Sequence, residues 1–210
     1  MAEKSAAFEK TLRELLRRIQ DLDLAGLSEQ MGVPLINGAL ILPYFGAQYS
    51  ISPQGVMGPD GQEPPFSVSV VLCRYVLSFP GQPPEKEGWV SYKDFPGSEP
   101  LAGWFRQNVE RTLPAVFLGN GNALVQACQD MGGCIAAYDY PYDVLLEIPV
   151  LPHLNVLLLF NDADDGFPAN SLVLFDNSAI RLLDVECLSV VGWTLTILAA
   201  RSAGLMELED

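Results

Sequence analysis

A chain of 210 residues with 49% hydrophobic and only 18% charged side chains carries enough apolar material for a sizeable core, which excludes intrinsic disorder over most of its length. Its 26 acidic and 12 basic residues give a formal net charge of −14, which argues against nucleic acid and anionic lipid as partners, because both are bound through Lys/Arg contacts and counterion release. Four cysteines, Cys73, Cys128, Cys134 and Cys187, form neither a Cys-x-x-Cys pair nor a secreted disulfide framework, and we read them as reduced core thiols.

Residues 3–24 are expected to form an amphipathic helix. Phe8, Leu12, Leu15, Leu16, Ile19 and Leu22 recur at spacings of three and four, with Glu9, Arg13, Arg17 and Arg18 between them. The segment is charged from Met1 to Lys10, where a signal peptide needs an apolar core, so a cytoplasmic location is expected. Gly26 and Gly32 bracket an expected linker. Ala39–Pro43 and Gln48–Ser52 then read as short strands, followed by turns at Ser52-Pro53-Gln54-Gly55 and Gly58-Pro59-Asp60-Gly61. Phe66 to Phe79 begins after Pro65 and reads as a helix, with a strand as the alternative.

Beyond the Pro/Glu-rich loop from Gly81 to Gly88, the expected elements are a strand over Trp89–Lys93 and a helix over Glu99–Arg111 that buries Trp104 and Phe105. Another helix is expected over Asn122–Met131, stopped by Gly132-Gly133. Val144–Ile148, Leu154–Phe160 and Ser171–Phe175 are aliphatic runs of strand length, the last two placed to form a hairpin across an acidic loop. Asp184–Ala203 closes the chain as a helix. Its apolar run, Cys187–Ala200, is shorter than the roughly 20 residues of a membrane span, so it is expected to be buried and no membrane partner is inferred. Strands and helices without regular alternation indicate an α+β fold: a mixed or antiparallel central sheet flanked by helices, one domain over 1–210 with an N-terminal helix (1–27) and a body (28–210).

No reaction is legible in the motifs. His153, the sole histidine, has no evident base partner and reads as structural or surface. Asn161-Asp162-Ala163-Asp164-Asp165-Gly166 misses the EF-hand register, since Ala163 and Leu172 fall where ligands are required, and reads as a solvated hairpin loop. Gly119-Asn120-Gly121-Asn122 lacks the Gly-Lys-Ser/Thr ending of a phosphate loop and reads as the start of a helix. Asp139, Asp143 and Glu147 have helical spacing inside a segment that reads as loop and strand. Aromatic clusters at Tyr44, Phe45 and Tyr49 and at Tyr138, Tyr140 and Tyr142 are candidates either for core or for the lining of a ligand cavity.

Leu42-Pro43-Tyr44-Phe45-Gly46 with Gln48-Tyr49, Tyr75, and Gly88-Trp89-Val90-Ser91-Tyr92-Lys93-Asp94-Phe95-Pro96-Gly97 occur in a fairly specific order. They are followed by Gly132-Gly133, Phe167-Pro168, Leu174-Phe175-Asp176 and Asp184-Val185-Glu186. In this the chain resembles the domain of unknown function 3786 family of anaerobic bacteria and archaea. Some members carry an iron–sulfur segment similar to one in corrinoid iron–sulfur proteins, so the resemblance implies work near anaerobic cofactor metabolism. This chain lacks those cysteines, and it departs at Arg74, where histidine is usual, and at Asp165-Gly166, where a glutamate is expected.

Three readings remain open, and no cofactor is assigned. The favoured one is a non-catalytic small-ligand-binding or accessory domain using Tyr44, Phe45 and Gly46 beside Tyr75 and Asp139. The second is a metal-assisted enzyme with Asp162 and Asp164 as ligands, joined by Asp139 and Asp176, carboxylates that suit Mg or Ca. The third is an interaction module that docks a partner protein through the N-terminal helix.

Overall fold

Asp23 divides the N-terminal amphipathic segment in two. In the computed structural model, which describes residues 6–164 and 166–205, α1 (Ala6–Gln20) gives way to a turn. The Asp23 carboxylate then accepts the Ala25 and Gly26 N–H groups at 3.2 and 3.1 Å and caps α2 (Leu24–Met31). Gly32, at φ 68°, closes α2 in the left-handed conformation. The expected continuous helix over 3–24 and the expected linker between Gly26 and Gly32 are thereby corrected: aspartate at position 23 satisfies the N–H groups of a new helix instead of continuing the old one. Residues 3–5 of that expectation, and Asp165, lie outside the described residues.

Leu15 and Ile19 on α1 are buried in the main core, where α1 packs on α3 (Phe66–Ser78), and Phe8 stacks on Phe66 at 4.4 Å. Fully burying an aliphatic side chain contributes about 1.5–3 kcal/mol. Deleting residues 1–22 is therefore expected to cost on the order of 3–6 kcal/mol from these two side chains, read as a fall in the urea midpoint. An unchanged midpoint would make α1 an appendage free to dock a partner.

Four strands form an antiparallel meander in chain order: β1 (Leu35–Ile36), β2 (Ala39–Tyr44), β3 (Ala47–Ser52) and β4 (Gly55–Met57). The β2–β3 hairpin turns through Phe45 and Gly46 at φ 48° and 80°, the left-handed pair that a two-residue hairpin requires. The Phe45 N–H donates to the Val150 carbonyl at 3.0 Å, fastening this meander to the second sheet.

That second sheet holds β5 (Trp89–Ser91), β6 (Cys134–Ile135), β7 (Val144–Leu151), β8 (Leu154–Asn161) and β9 (Asn170–Asp176), in the order β5-β9-β8-β7-β6, antiparallel throughout. The three aliphatic runs are its central strands, and β8 and β9 pair across the acidic loop as expected. Strand alternation accounts for their continuous hydrophobicity. Leu146, Ile148, Val156, Leu158, Phe160, Val173 and Phe175 face the main core, whereas Leu145, Leu157, Leu159 and Leu174 form a smaller cluster under Trp89, Tyr140 and Tyr142. The strand expected over Trp89–Lys93 ends at Ser91 and passes into a 3-10 turn, Tyr92–Asp94. His153 is exposed at φ 63° in the tight turn between β7 and β8.

Helix α7 (Val185–Ser202) starts at Asp184, whose carboxylate accepts the Cys187 N–H at 2.8 Å. It packs against α3, α4 (Glu99–Phe105), α5 (Thr112–Val116) and α6 (Gly121–Asp130). By length and composition it could cross a membrane, yet 56% of it is buried inside the protein, which explains why it is apolar nearly all round. Two further expectations are corrected here. Trp104 is 41% exposed, edge-on to Trp193 at 6.1 Å, while Phe105 is buried, because successive residues of a helix point roughly 100° apart and only Phe105 lies on the core-facing side. Cys73, Cys128 and Cys187 are buried thiols, but Cys134 is exposed on the two-residue strand β6, too short to be covered.

Candidate ligand-binding cleft

Leu101, Phe105, Val109, Leu113 and Phe117 follow one another at intervals of four, and all but the half-buried Leu101 are fully buried. A regular α-helix would rotate each of them roughly 40° further round its axis. Keeping them on one face requires looser winding, and a π-helical turn over Arg106–Glu110 supplies it, with the Arg111 N–H bonded to the Arg106 carbonyl at 3.0 Å. Side chains take up neighbouring backbone carbonyls. Asn108 Nδ2 donates to Trp104 O at 2.9 Å, Thr112 Oγ1 to Gln107 O at 3.3 Å and Ser171 Oγ to Glu110 O at 2.8 Å. Phe105 anchors the turn, stacked on Tyr92 at 4.2 Å.

Two adjoining cavities of about 530 and 470 Å³ share Arg106, Glu110, Asn170 and Ser171 and together form one cleft along this turn. One arm is walled by Pro114, Ala115, Leu118 and Pro168. The other is lined by Ser91 and Lys93 from the end of β5, by Tyr142, and by Tyr92 and Phe105. Burial raises the pKa of the Glu110 carboxyl, opposed by the Val173 backbone N–H and the Arg106 and Lys93 charges. Burial likewise raises that of Tyr142, with the Glu110 charge adding to it.

The cleft gathers the cations of the body, residues 28–210, that make no ion pair, with Arg111 donating to Gln107 Oε1 at 3.0 Å. Of the seven basic residues after position 28, Arg74, Lys86 and Arg181 form ion pairs with Asp184, Glu147 and Glu87, and Arg201 has an interaction partner of its own. The remaining three, Lys93, Arg106 and Arg111, all line the cleft, and none makes an ion pair within 4.0 Å among the described residues.

The residues expected from the sequence lie elsewhere. Tyr44 (1% exposed), Phe45 and Tyr49 form one aromatic group in and at the edge of the core, with ring centroids 4.9 and 5.9 Å from Tyr44. The Tyr44 hydroxyl is enclosed near Thr194 without a hydrogen bond of good geometry, and burial drives its pKa up. Gly46 is exposed at the hairpin tip, where an added Cβ would lie 3.1 Å from the Met131 carbonyl oxygen. Tyr75 is fully buried, donating its hydroxyl to Pro152 O at 2.5 Å, and Asp139 is exposed on the loop between β6 and β7. None of these six lines the cleft.

The Asp162 carboxylate accepts the Gly119 and Ala163 N–H groups at 2.9 and 2.8 Å, beside a cavity of about 560 Å³ at the start of α6 that also meets Asp143. Asp164 bridges Phe167 through its backbone and has a further interaction partner. Both carboxylate oxygens of Asp176 are taken by Glu87 N, Gly88 N and Ser178. Among the described residues no three His, Cys, Asp or Glu side chains come together in a group that could hold a metal ion.

Lys93, Arg106, Glu110, Arg111, Asn170 and Ser171 were not singled out from the sequence. The unbroken spacing of four from Leu101 to Phe117 was the available signal for the turn; the arrival of Lys93 and Ser171 beside it depends on the β5–β9 pairing, for which no local pattern exists.

These features define an α+β protein built from two antiparallel sheets and a layer of helices around α7. The chain belongs to the family described as Domain of unknown function (DUF3786), whose model matches residues 23–197. No curated protein and no solved structure matches it.

Proposed function

We propose that this chain is a non-catalytic small-ligand-binding or accessory domain that seats its ligand in the cleft along the π-helical turn. The setting is the anaerobic cofactor metabolism, corrinoid or iron–sulfur, that the family resemblance implies. One observation carries the reading: a π-turn, an element that recurs at functional sites, forms the shared wall of two cavities, each within the roughly 300–1,000 Å³ typical of ligand pockets. The half-buried Glu110 and Ser171 and the exposed Asn170 supply convergent polar groups, and Pro114, Leu118 and Pro168 supply apolar wall.

Amide chemical-shift mapping with a panel of small acids, amines and alcohols tests it. Shifts are expected at residues 106–111 and 168–172, and Ala115→Trp, which fills the cleft from an exposed position on α5, is expected to remove them. Shifts clustered around Tyr44, Phe45 and Gly46, or unaffected by Ala115→Trp, would sink this placement. A second reading, docking of a partner through α1, is favoured by one observation: the family match begins at residue 23, beyond that helix.

A further inference from the structure

In the body of this molecule the cations without an ion pair meet in one place, whereas Arg17 and Arg18, which also make none among the described residues, lie apart on α1. The chain as a whole carries −14, and its body holds seven basic residues. Four of those have partners, and the three that make no ion pair converge on the cleft. Lys93 comes from the turn after β5, Arg106 opens the π-turn and Arg111 follows its end, so three separate backbone positions direct cations at one space. A single acidic side chain, Glu110, opposes them there. The cleft is also chemically polarised along its length. Lys93, Ser91 and Tyr142 stand at one end, while Pro114, Leu118 (55% exposed) and Pro168 stand at the other.

Resting on the ligand-binding reading above, we propose that the cleft takes a small organic monocarboxylate with an apolar body. The acid group is held between Lys93 and Arg106, and the hydrocarbon lies along Pro114, Leu118 and Pro168. Guanidinium and ammonium groups bind carboxylate through charge-assisted hydrogen bonds. The apolar arm gains from excluding water, and an alcohol or amine of the same length shares only that part. Inorganic phosphate can meet the same cations but has no hydrocarbon to lie along the apolar arm, so it is expected to bind more weakly than a monocarboxylate with an apolar body.

Calorimetric titration of the intact protein with octanoate, octylamine, octanol and inorganic phosphate decides the matter. Octanoate is expected to bind most tightly, and Arg106→Gln and Lys93→Gln, both at exposed positions that leave the core intact, are each expected to weaken it about tenfold or more. Arg106→Glu is expected to shift the preference towards octylamine. Octanol matching octanoate, phosphate binding more tightly than octanoate, or octanoate affinity unmoved in the Arg106→Gln, Lys93→Gln double variant would each overturn the monocarboxylate assignment. If octanol or octylamine shifts the cleft amides while octanoate does not, this assignment fails and the small-ligand reading stands. If no probe shifts them at millimolar concentration, both fail.

Discussion

Phe105→Ala is expected to lower the unfolding free energy by about 3–5 kcal/mol, at the upper end for a buried aromatic truncation. The ring is 1% exposed, stacked face to face on Tyr92 and within 6.1 Å of Phe175. It also sits against α7 at the one place where that helix has no side chain: a Cβ on Gly192 would come within 2.3 Å of the Phe105 ring. Because Tyr92 fixes the other side of the ring, it cannot swing away, and removing it leaves a cavity between α7 and the turn after β5. The cleft should suffer as well, since Phe105 and Tyr92 line it and Phe105 is the last residue before the π-turn. Gly192→Ala pushes on the same ring from behind and is expected to cost about 1–3 kcal/mol, despite the better helix propensity of alanine. Urea unfolding read by far-UV circular dichroism measures both. A loss below about 1 kcal/mol for Phe105→Ala would mean that the ring is not part of a close-packed core.

Asp176→Ala has the second largest expected effect, again about 3–5 kcal/mol, since it strands four donors that a buried carboxylate now satisfies. Oδ1 accepts from Glu87 N at 3.0 Å, Ser178 N at 2.9 Å and Ser178 Oγ at 2.6 Å, and Oδ2 accepts from Gly88 N at 3.1 Å. These bonds tie the end of β9 to the chain entering β5, the pairing that brings Ser91 and Lys93 to the cleft. An Arg181–Glu87 ion pair and the Asn177–Glu87 bond reinforce the same corner. Asp176→Asn should cost less than half as much, because its carbonyl oxygen can keep the three Oδ1 bonds while its amide meets only the Gly88 N–H. Equal losses for Ala and Asn would show that the negative charge, not the geometry of acceptance, holds the corner.

Much of the architecture was legible because periodicity reports burial directly. The aliphatic runs at Val144, Leu154 and Ser171 are strands with core on one face and the Trp89, Tyr140 and Tyr142 cluster on the other. The apolar segments at Phe66 and Val185 are helices. What periodicity could not show were competitions decided by single groups. The N-capping carboxylate of Asp23 stops one helix and starts the next, and no hydrophobic pattern marks that choice. Trp104 was expected inside with its neighbour Phe105, but the buried stripe runs through Leu101, Phe105, Val109, Leu113 and Phe117, and Trp104, one position off it, is 41% exposed.

The candidate site was less legible than the fold. Aromatic residues at Tyr44, Phe45 and Tyr75 attract attention in a sequence, yet large buried rings mostly serve packing, and here Tyr75 holds the β7–β8 turn by its hydroxyl. The cleft is made of ordinary residues, Lys93, Arg106, Glu110 and Ser171, whose significance comes from convergence across distant positions. The spacing of four from Leu101 to Phe117 pointed to the turn, but that three of the body's seven basic residues make no ion pair and meet beside it shows only in the folded chain.

The most direct test of a ligand seat at the π-turn is native mass spectrometry of the wild type and of Ala115→Trp, each purified anaerobically from the protein's own host and compared before and after denaturation. The expected result is an excess mass on the wild type that is lost on denaturation and missing from Ala115→Trp. An equal excess mass on both proteins would place the ligand outside the cleft, and bare protein mass from both would contradict a ligand carried there in the cell.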